Sequence, residues 1–259
     1  MTALTNPALE KLRRGEVVLV ATVNTMRSGD VARMMKVAGL DILVLDLEHQ
    51  VHWGDAVHEI AMAGIDIGMT ILARPGGPEY VDINRGLNSG AMGVIVPRVA
   101  RLADAQAVVQ AARFAPLGNR AVPPMFPHFG YRPTKEADAV AQLETATLVA
   151  INLESADSLR DADAIAALPG IDVLFVGAGD LAQNLGLSER DHPDVWQAIE
   201  AIVAVCKRQG KAAGIGGLME NAQIERAIKL GVQYVSIGSD TAFLIAGARI
   251  KAEFARGVR

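Results

Sequence analysis

A chain of 259 residues with 51% apolar and 21% charged side chains can form one barrel-sized domain or two smaller ones. Its net charge of −4 supplies no basic footprint, which argues against nucleic acid as the main partner. The single cysteine, Cys206, excludes an internal disulfide framework, and no apolar run approaches the ~18 residues of a membrane span.

The opening segment, MTALTNPALEKLRRGE, lacks the apolar centre of a signal peptide, so a cytoplasmic location is expected. Residues 17–23 read as the first strand. The turn after it, VNTMRSGD, lacks the G-x-G-x-x-G of a doubly wound dinucleotide fold. Val31, Met34, Met35 and Ala38 then recur at i, i+3, i+4 and i+7, one face of a helix, and Gly39 follows where a helix closes on a left-handed residue. The next strand, 42–45, is a continuous apolar run, as expected for a strand buried on both faces. It ends abruptly in Asp46, Glu48 and His49, three proton-handling groups within four positions.

The same unit of helix, glycine and short apolar run returns in AGIDIGMTIL, SGAMGVIV, LPGIDVLFV, RQGKAAGI and LGVQYVSI, with Gly64, Gly90, Gly170, Gly210 and Gly231 as helix closers. Ala105, Val108, Val109 and Ala112 repeat the helical spacing, and Cys206 lies in an apolar helical pattern as inert packing. With the run at 147–152 the strands number eight, and strands alternating with helices indicate a parallel (β/α)8 barrel. One irregular stretch, 116–133, reads as an ordered functional loop in which His128 is a candidate substrate contact. The last helix, 241–256, is apolar enough at Phe243, Leu244, Ala248 and Ile250 to pack on its own barrel or on a neighbour. No linker interrupts the chain, so 1–259 is expected to be one domain.

In such a barrel, residues just past each strand converge on one mouth. Strand two delivers Asp46, Glu48 and His49; strand three delivers Arg74; strand five delivers Glu154; strand six delivers Asp180 after Gly177 and Gly179; strand eight ends in Ser239 and Asp240. Alone, Glu154 reads equally as a charge at a helix start and Asp180 as a capping acid. Together, facing Arg74, they suit a hard divalent cation, Mg²⁺ or Mn²⁺ before Co²⁺, Ni²⁺ or Zn²⁺. Asp46 stands where it could orient the His49 ring and raise its basicity. Lys211 opens strand seven at the wrong end of the barrel for a Schiff base.

The set DLEH (46–49), ARP (73–75), VPRV (96–99), NLES (152–155), VGAGDLAQNLG (176–186) and SIGSDT (236–241) resembles the HpcH/HpaI aldolases, metal-dependent pyruvate aldolases. The resemblance implies a barrel of the phosphoenolpyruvate/pyruvate-binding type, assembled as a hexamer whose subunits exchange C-terminal helices. It implies Glu154 and Asp180 as metal ligands, Arg74 on the keto oxygen of pyruvate, and His49 with Asp46 for proton transfer. Gly177, Ala178 and Gly179 would hold the pyruvate carboxylate, with Glu48 and Asn152 also at the substrate. Three positions depart from the family pattern. Leu47 replaces the glycine of D-G-E-H, Asn88 replaces an aspartate that reaches a neighbour's site, and Asn152 stands where a glutamine is usual.

The expected activity is reversible cleavage of a 4-hydroxy-2-oxo acid to pyruvate and an aldehyde. The alternatives are an enolate-condensing or CoA-thioester lyase, which would want a basic patch from Arg98, Arg120 and Arg132, or an inactive small-acid-binding barrel. Acceptor choice is expected to rest on the 116–133 loop, His52 and Trp53.

Overall fold

The computed structural model describes residues 3–49, 55–218 and 220–258. Strands β1 (Val18–Val23), β2 (Ile42–Asp46), β3 (Thr70–Arg74), β4 (Gly93–Val96), β5 (Leu148–Leu153), β6 (Val173–Gly177), β7 (Ala212–Gly216) and β8 (Tyr234–Ser239) close a parallel barrel in chain order. Every neighbouring pair is parallel, and a register shift between Val20 and Ala21 joins β1 to β8.

Around the barrel run α2 (Asp30–Val37), α3 (Asp55–Ile67), α4 (Tyr80–Asn88), α5 (Leu102–Ala112), α6 (Glu136–Ala146), the short pair α7 (Ala156–Arg160) and α8 (Ala162–Ala167), α9 (Ala178–Asn184), α10 (Pro193–Gln209) and α11 (Asn221–Leu230). A further helix, α1 (Pro7–Arg13), precedes β1, and α12 (Asp240–Gly257) follows β8. Among the described residues no helix is long and apolar enough to cross a membrane.

Side chains alternate across each strand. Ile42 and Val44 point into the barrel with Leu72, Ile95, Ala150, Phe175 and Tyr234, whereas Leu43 and Leu45 face outward against α2 and α3. Phe175 lies across β7, where a Cβ on Gly214 or Gly216 would meet its ring at 2.9 or 2.5 Å. Only glycine permits that approach. The core therefore continues through the barrel axis and holds the strand ends in fixed positions.

Sequence did not reveal α1. It seals the lower end of the barrel with Ala8, Leu9 and Leu12. Asn6 caps it by accepting from Leu9 N–H at 3.1 Å, while its amide donates to the Met92 and Ala146 carbonyls at 3.1 and 2.7 Å. Two sequence expectations need correction. Gly64 lies inside α3, pressed against Ile71, and Gly68 at φ +66° closes that helix instead. On α2, Met34 faces solvent; Val31 and Ala32 make the buried contact. Gly39, Gly90, Gly170, Gly210 and Gly231 are all left-handed, as the pattern required.

The 116–133 loop is ordered, as expected. Phe126 packs with Phe114, Ala139 and Leu143, and Pro127–Phe129 form a single 3₁₀ turn. It wraps the outside and lower side of the barrel, where His128 is buried and its Nε2 meets the Ala91 carbonyl at 3.2 Å.

Candidate active site

The register of β2 on β3 pairs Asp46 directly with Arg74. Both continue the inward track of their strands, two residues beyond Val44 and Leu72. Asp46 is buried. Its Oδ1 accepts from Arg74 Nε and from the N–H groups of Glu48 and His49, each at 3.1 Å, and Arg74 Nη2 donates to Oδ2 at 2.5 Å. Burial pushes this carboxyl up, but the hydrogen bonds and charge of Arg74 outweigh it and hold Asp46 below the ordinary carboxylate value.

Arg74 Nη2 also lies 3.1 Å from His49 Nδ1. A guanidinium only donates, so Nδ1 accepts and a neutral ring carries its hydrogen on Nε2. Asp46 Oδ2 and Glu48 Oε2 stand 3.5 and 3.6 Å from the same nitrogen. Asp46 and His49 thus stand together as expected from sequence, with Arg74 making the shorter side-chain contact to each.

On the far side of the cleft, Glu154 follows β5 and Asp180 sits in the first turn of α9, which begins immediately after β6. Ser155 caps α7, leaving Glu154 outside the helix. Asn152 Nδ2 donates to Glu154 Oε1, and the Arg98 N–H donates to Oε2 at 3.3 Å. Arg98 reaches back with Nε to Glu48 Oε1 at 3.0 Å. Glu48, His49, Arg98, Glu154, Ser155 and Asp180 line one cleft of about 540 Å³.

Several expected residues lie elsewhere. Asp240 is buried and turned onto backbone, accepting from the N–H groups of Asn24, Thr25 and Met26 at 3.0, 3.0 and 2.9 Å. Ser239 caps α12. No residue of the 116–133 loop lines the cleft, which corrects the expectation that His128 and this loop meet substrate within one chain. Arg120 is buried against Asn88 and the Phe114 ring, and Arg132 lines a separate cavity with His128. Arg98 alone of the three expected cations is at the cleft, so the basic patch suited to a CoA thioester is not assembled. His52 and Trp53 lie outside the described residues.

A family model described as HpcH/HpaI aldolase/citrate lyase matches residues 25–247. The chain belongs to the HpcH/HpaI aldolase/citrate lyase family. It is 33% identical over 254 residues to a 4-hydroxy-4-methyl-2-oxoglutarate aldolase of Hapsidospora irregularis, across 96% of this chain and 94% of that one. A 4-hydroxy-2-oxo-heptane-1,7-dioate aldolase of Klebsiella pneumoniae is 31% identical, across 84% and 82%. The crystal structure of an HpcH/HpaI aldolase from Desulfitobacterium hafniense shares the fold, with a TM-score of 0.90 at 24% identity over 96% of both chains. As a member of this aldolase family the protein is a carbon–carbon lyase.

HpcH/HpaI aldolases are generally divalent-metal dependent, and the donor chemistry of this cleft fits such an ion. Burial, then the negative charges of Asp180 and Glu48, push Glu154 up to about 7, a repulsion that a cation would relieve. Asn152 Oδ1 is buried with no partner among the described residues. Among those residues no group of three His, Cys, Asp or Glu is placed to hold a metal ion, and Glu154 and Asp180 are the two cleft acids from neighbouring strand ends that could contribute oxygen ligands.

Sequence reasoning named Arg98 only as part of a basic patch for a CoA thioester and missed its place between Glu48 and Glu154. Its φ of +60° is unusual for a non-glycine residue, and such backbone gathers at functional sites. Its position directly after Pro97 at a strand end was the available signal.

Proposed function

We propose that the protein reversibly cleaves a 4-hydroxy-2-oxo acid to pyruvate and an aldehyde, using Glu154 and Asp180 to hold a divalent cation, Mg²⁺ or Mn²⁺ first among the candidates. The observation that carries this reading is one cleft lined by Glu154 and Asp180, two oxygen donors from neighbouring strand ends, together with His49, which Arg74 bridges to Asp46. The cation would supply Lewis-acid polarisation of the substrate's keto group.

The residues divide the remaining work. Among the described residues Arg74 Nη1 has no partner, and it can donate to the keto oxygen as negative charge develops there. If Arg74 shifts toward substrate, His49 Nδ1 turns to Asp46 or Glu48 as donor, and Nε2 becomes the base for the C4 hydroxyl proton. In the synthetic direction the same nitrogen takes a proton from the pyruvate methyl group. The first-turn N–H groups around Gly177, Ala178 and Gly179 suit the pyruvate carboxylate, because a helix start leaves them without intrahelical partners. Glu48 anchors Arg98, and Asn152 steadies Glu154.

The three departures from the family pattern each have a local setting. Leu47 packs between two core clusters, its N–H on the Arg74 carbonyl at 3.0 Å. Asn88 accepts from Arg120 Nη2 at 3.1 Å. Asn152 reaches Glu154 despite its shorter side chain. Lys211 is at the lower end, donating to the Leu168 and Ile171 carbonyls at 3.3 and 2.7 Å, which speaks against a Schiff-base route. Burial pushes the Cys206 thiol up to about 12, so it is no nucleophile.

We also read the chain as one cytoplasmic domain that forms a homo-oligomer, a hexamer with exchanged C-terminal helices. Leu244, Ile245, Ile250 and Phe254 on α12 are exposed, and Phe254 is 73% accessible. The activity is tested by incubating chelator-treated protein with pyruvate, a panel of aldehydes and single divalent ions, with adducts detected by mass. Adducts that need the ion and resist borohydride trapping support the reading. Adducts formed equally with chelator present contradict it.

A further inference from the structure

Three acids line the cleft, Glu48, Glu154 and Asp180, yet among the described residues no three such groups are placed to hold one ion together. Glu48 is the acid that stands apart. It is not remote, because burial, Asp180 and Glu48 together push the Glu154 carboxyl up. Its backbone is fixed just after β2, where its N–H donates to Asp46 Oδ1 at 3.1 Å, so its side-chain partners decide where the carboxylate points. Arg98 Nε donates to its Oε1 at 3.0 Å, while Oε2 lies 3.9 Å from Arg74 Nε and 3.6 Å from His49 Nδ1. In this grip the Glu48 side chain is only 8% exposed. Arg98 is itself anchored. After Pro97 it takes a left-handed backbone, φ +60°, and its N–H donates to Glu154 Oε2 at 3.3 Å. One residue thus steadies Glu154 with its main chain and draws Glu48 aside with its side chain.

Two carboxylates balance a divalent cation, and a third would leave the site with a net negative charge. Such a site would hold the ion more tightly, since affinity for a hard cation rises with the number of charged oxygen ligands. It would also repel the pyruvate carboxylate, fill a position that substrate needs and polarise a keto group less. A guanidinium suits the task of preventing this, because it stays charged at any working pH and directs its N–H groups from a rigid plane. We propose that Arg98 is a positioning residue that keeps Glu48 out of the cation's coordination shell, leaving that position for substrate. This rests on the cation site proposed above and gives the arginine its role there.

The test reads binding apart from turnover. Mn²⁺ affinity is followed by electron paramagnetic resonance, water on the bound ion by water-proton relaxation, and pyruvate affinity by calorimetry of Mn²⁺-loaded protein. In Arg98→Asn, asparagine tolerates the left-handed backbone and preserves the N–H to Glu154. This variant should bind Mn²⁺ about tenfold more tightly and pyruvate about tenfold more weakly, with a smaller relaxation enhancement because Glu48 displaces water from the ion. Adding Glu48→Gln should restore the wild-type enhancement and remove the gain in Mn²⁺ affinity. Weaker binding of both ligands in Arg98→Asn would mark a merely structural role and overturn the proposal. Tighter Mn²⁺ binding that persists in the Glu48→Gln background, with unchanged relaxation, would reflect only the lost positive charge and overturn it as well. Mn²⁺ binding that is lost in Glu154→Gln but unmoved in Arg98→Asn overturns this inference alone. Failure of the wild-type protein to bind Mn²⁺, or binding indifferent to Glu154→Gln and Asp180→Asn, removes the cation site and this inference with it.

Discussion

Arg74 serves two neighbours at once, and its substitution separates them. It neutralises Asp46 through two hydrogen bonds and fixes the tautomer of His49 through a third. Arg74→Ala should fold yet lower turnover by about 10²–10³-fold, the usual loss for one electrostatic donor. It should also remove the largest opposition to burial at Asp46, leaving only the His49 contributions, so that this carboxyl rises; carboxyl chemical shifts followed against pH would show it. Unchanged turnover would remove the arginine from the mechanism. Glu154, pushed up to about 7, gives a second prediction. A cation binds the ionised carboxylate, so affinity should weaken as pH falls below about 7, with close to one proton released per ion bound there. Titration calorimetry in buffers of different ionisation enthalpy measures that proton, and a proton count of zero near pH 6.5 would contradict it. These carboxylates were legible from sequence because apolar strands broke off at them. The bridging position of Arg74 was not, since it depends on the register that sets Asp46 beside it.

Between elements, two buried polar side chains do structural work that sequence patterns do not mark. Arg113, at the end of α5, donates to the Gly170, Glu144 and Thr147 carbonyls and pairs with Asp172 at 2.9 Å. Arg113→Met should destabilise the protein by about 3–5 kcal/mol by stranding those buried acceptors, as chemical denaturation would measure. His128 is held neutral by burial, its folded value down at about 4 against an unfolded value near 6.5. Between those values the unfolded chain binds the extra proton. The stability this neutral ring contributes is therefore complete above about pH 6.5 and lost as pH falls toward 4. His128→Gln should flatten the fall in melting temperature over that window, whereas an unchanged profile would place the titration elsewhere. The four α5 positions picked by helix periodicity are all buried, with Ala111 beside them, but periodicity misjudged α2, where Met34 faces solvent. A helix of eight residues buries too narrow a stripe for spacing alone to locate it.

At the scale of the molecule, the eight-strand barrel was readable because most units repeated the same glycine-closed helix and apolar strand. What the repeat could not show was α1, which belongs to no unit, or the course of the 116–133 loop around the outside. The apolar face of α12 predicts assembly. Ile250→Lys with Phe254→Lys should yield a smaller species by sedimentation with the barrel's circular dichroism intact, and an unaltered mass would exclude that face from the interface. The central claim, that this cleft generates a pyruvate carbanion equivalent with the help of a bound cation, has a direct measurement. Pyruvate in D₂O is followed by proton NMR with Mn²⁺ present at trace levels or Mg²⁺ in excess, for the wild-type protein and for Glu154→Gln. The expected result is cation-dependent loss of the methyl signal in the wild-type protein, abolished in the variant. Retention of the methyl signal by wild-type protein with cation and pyruvate both bound would contradict it.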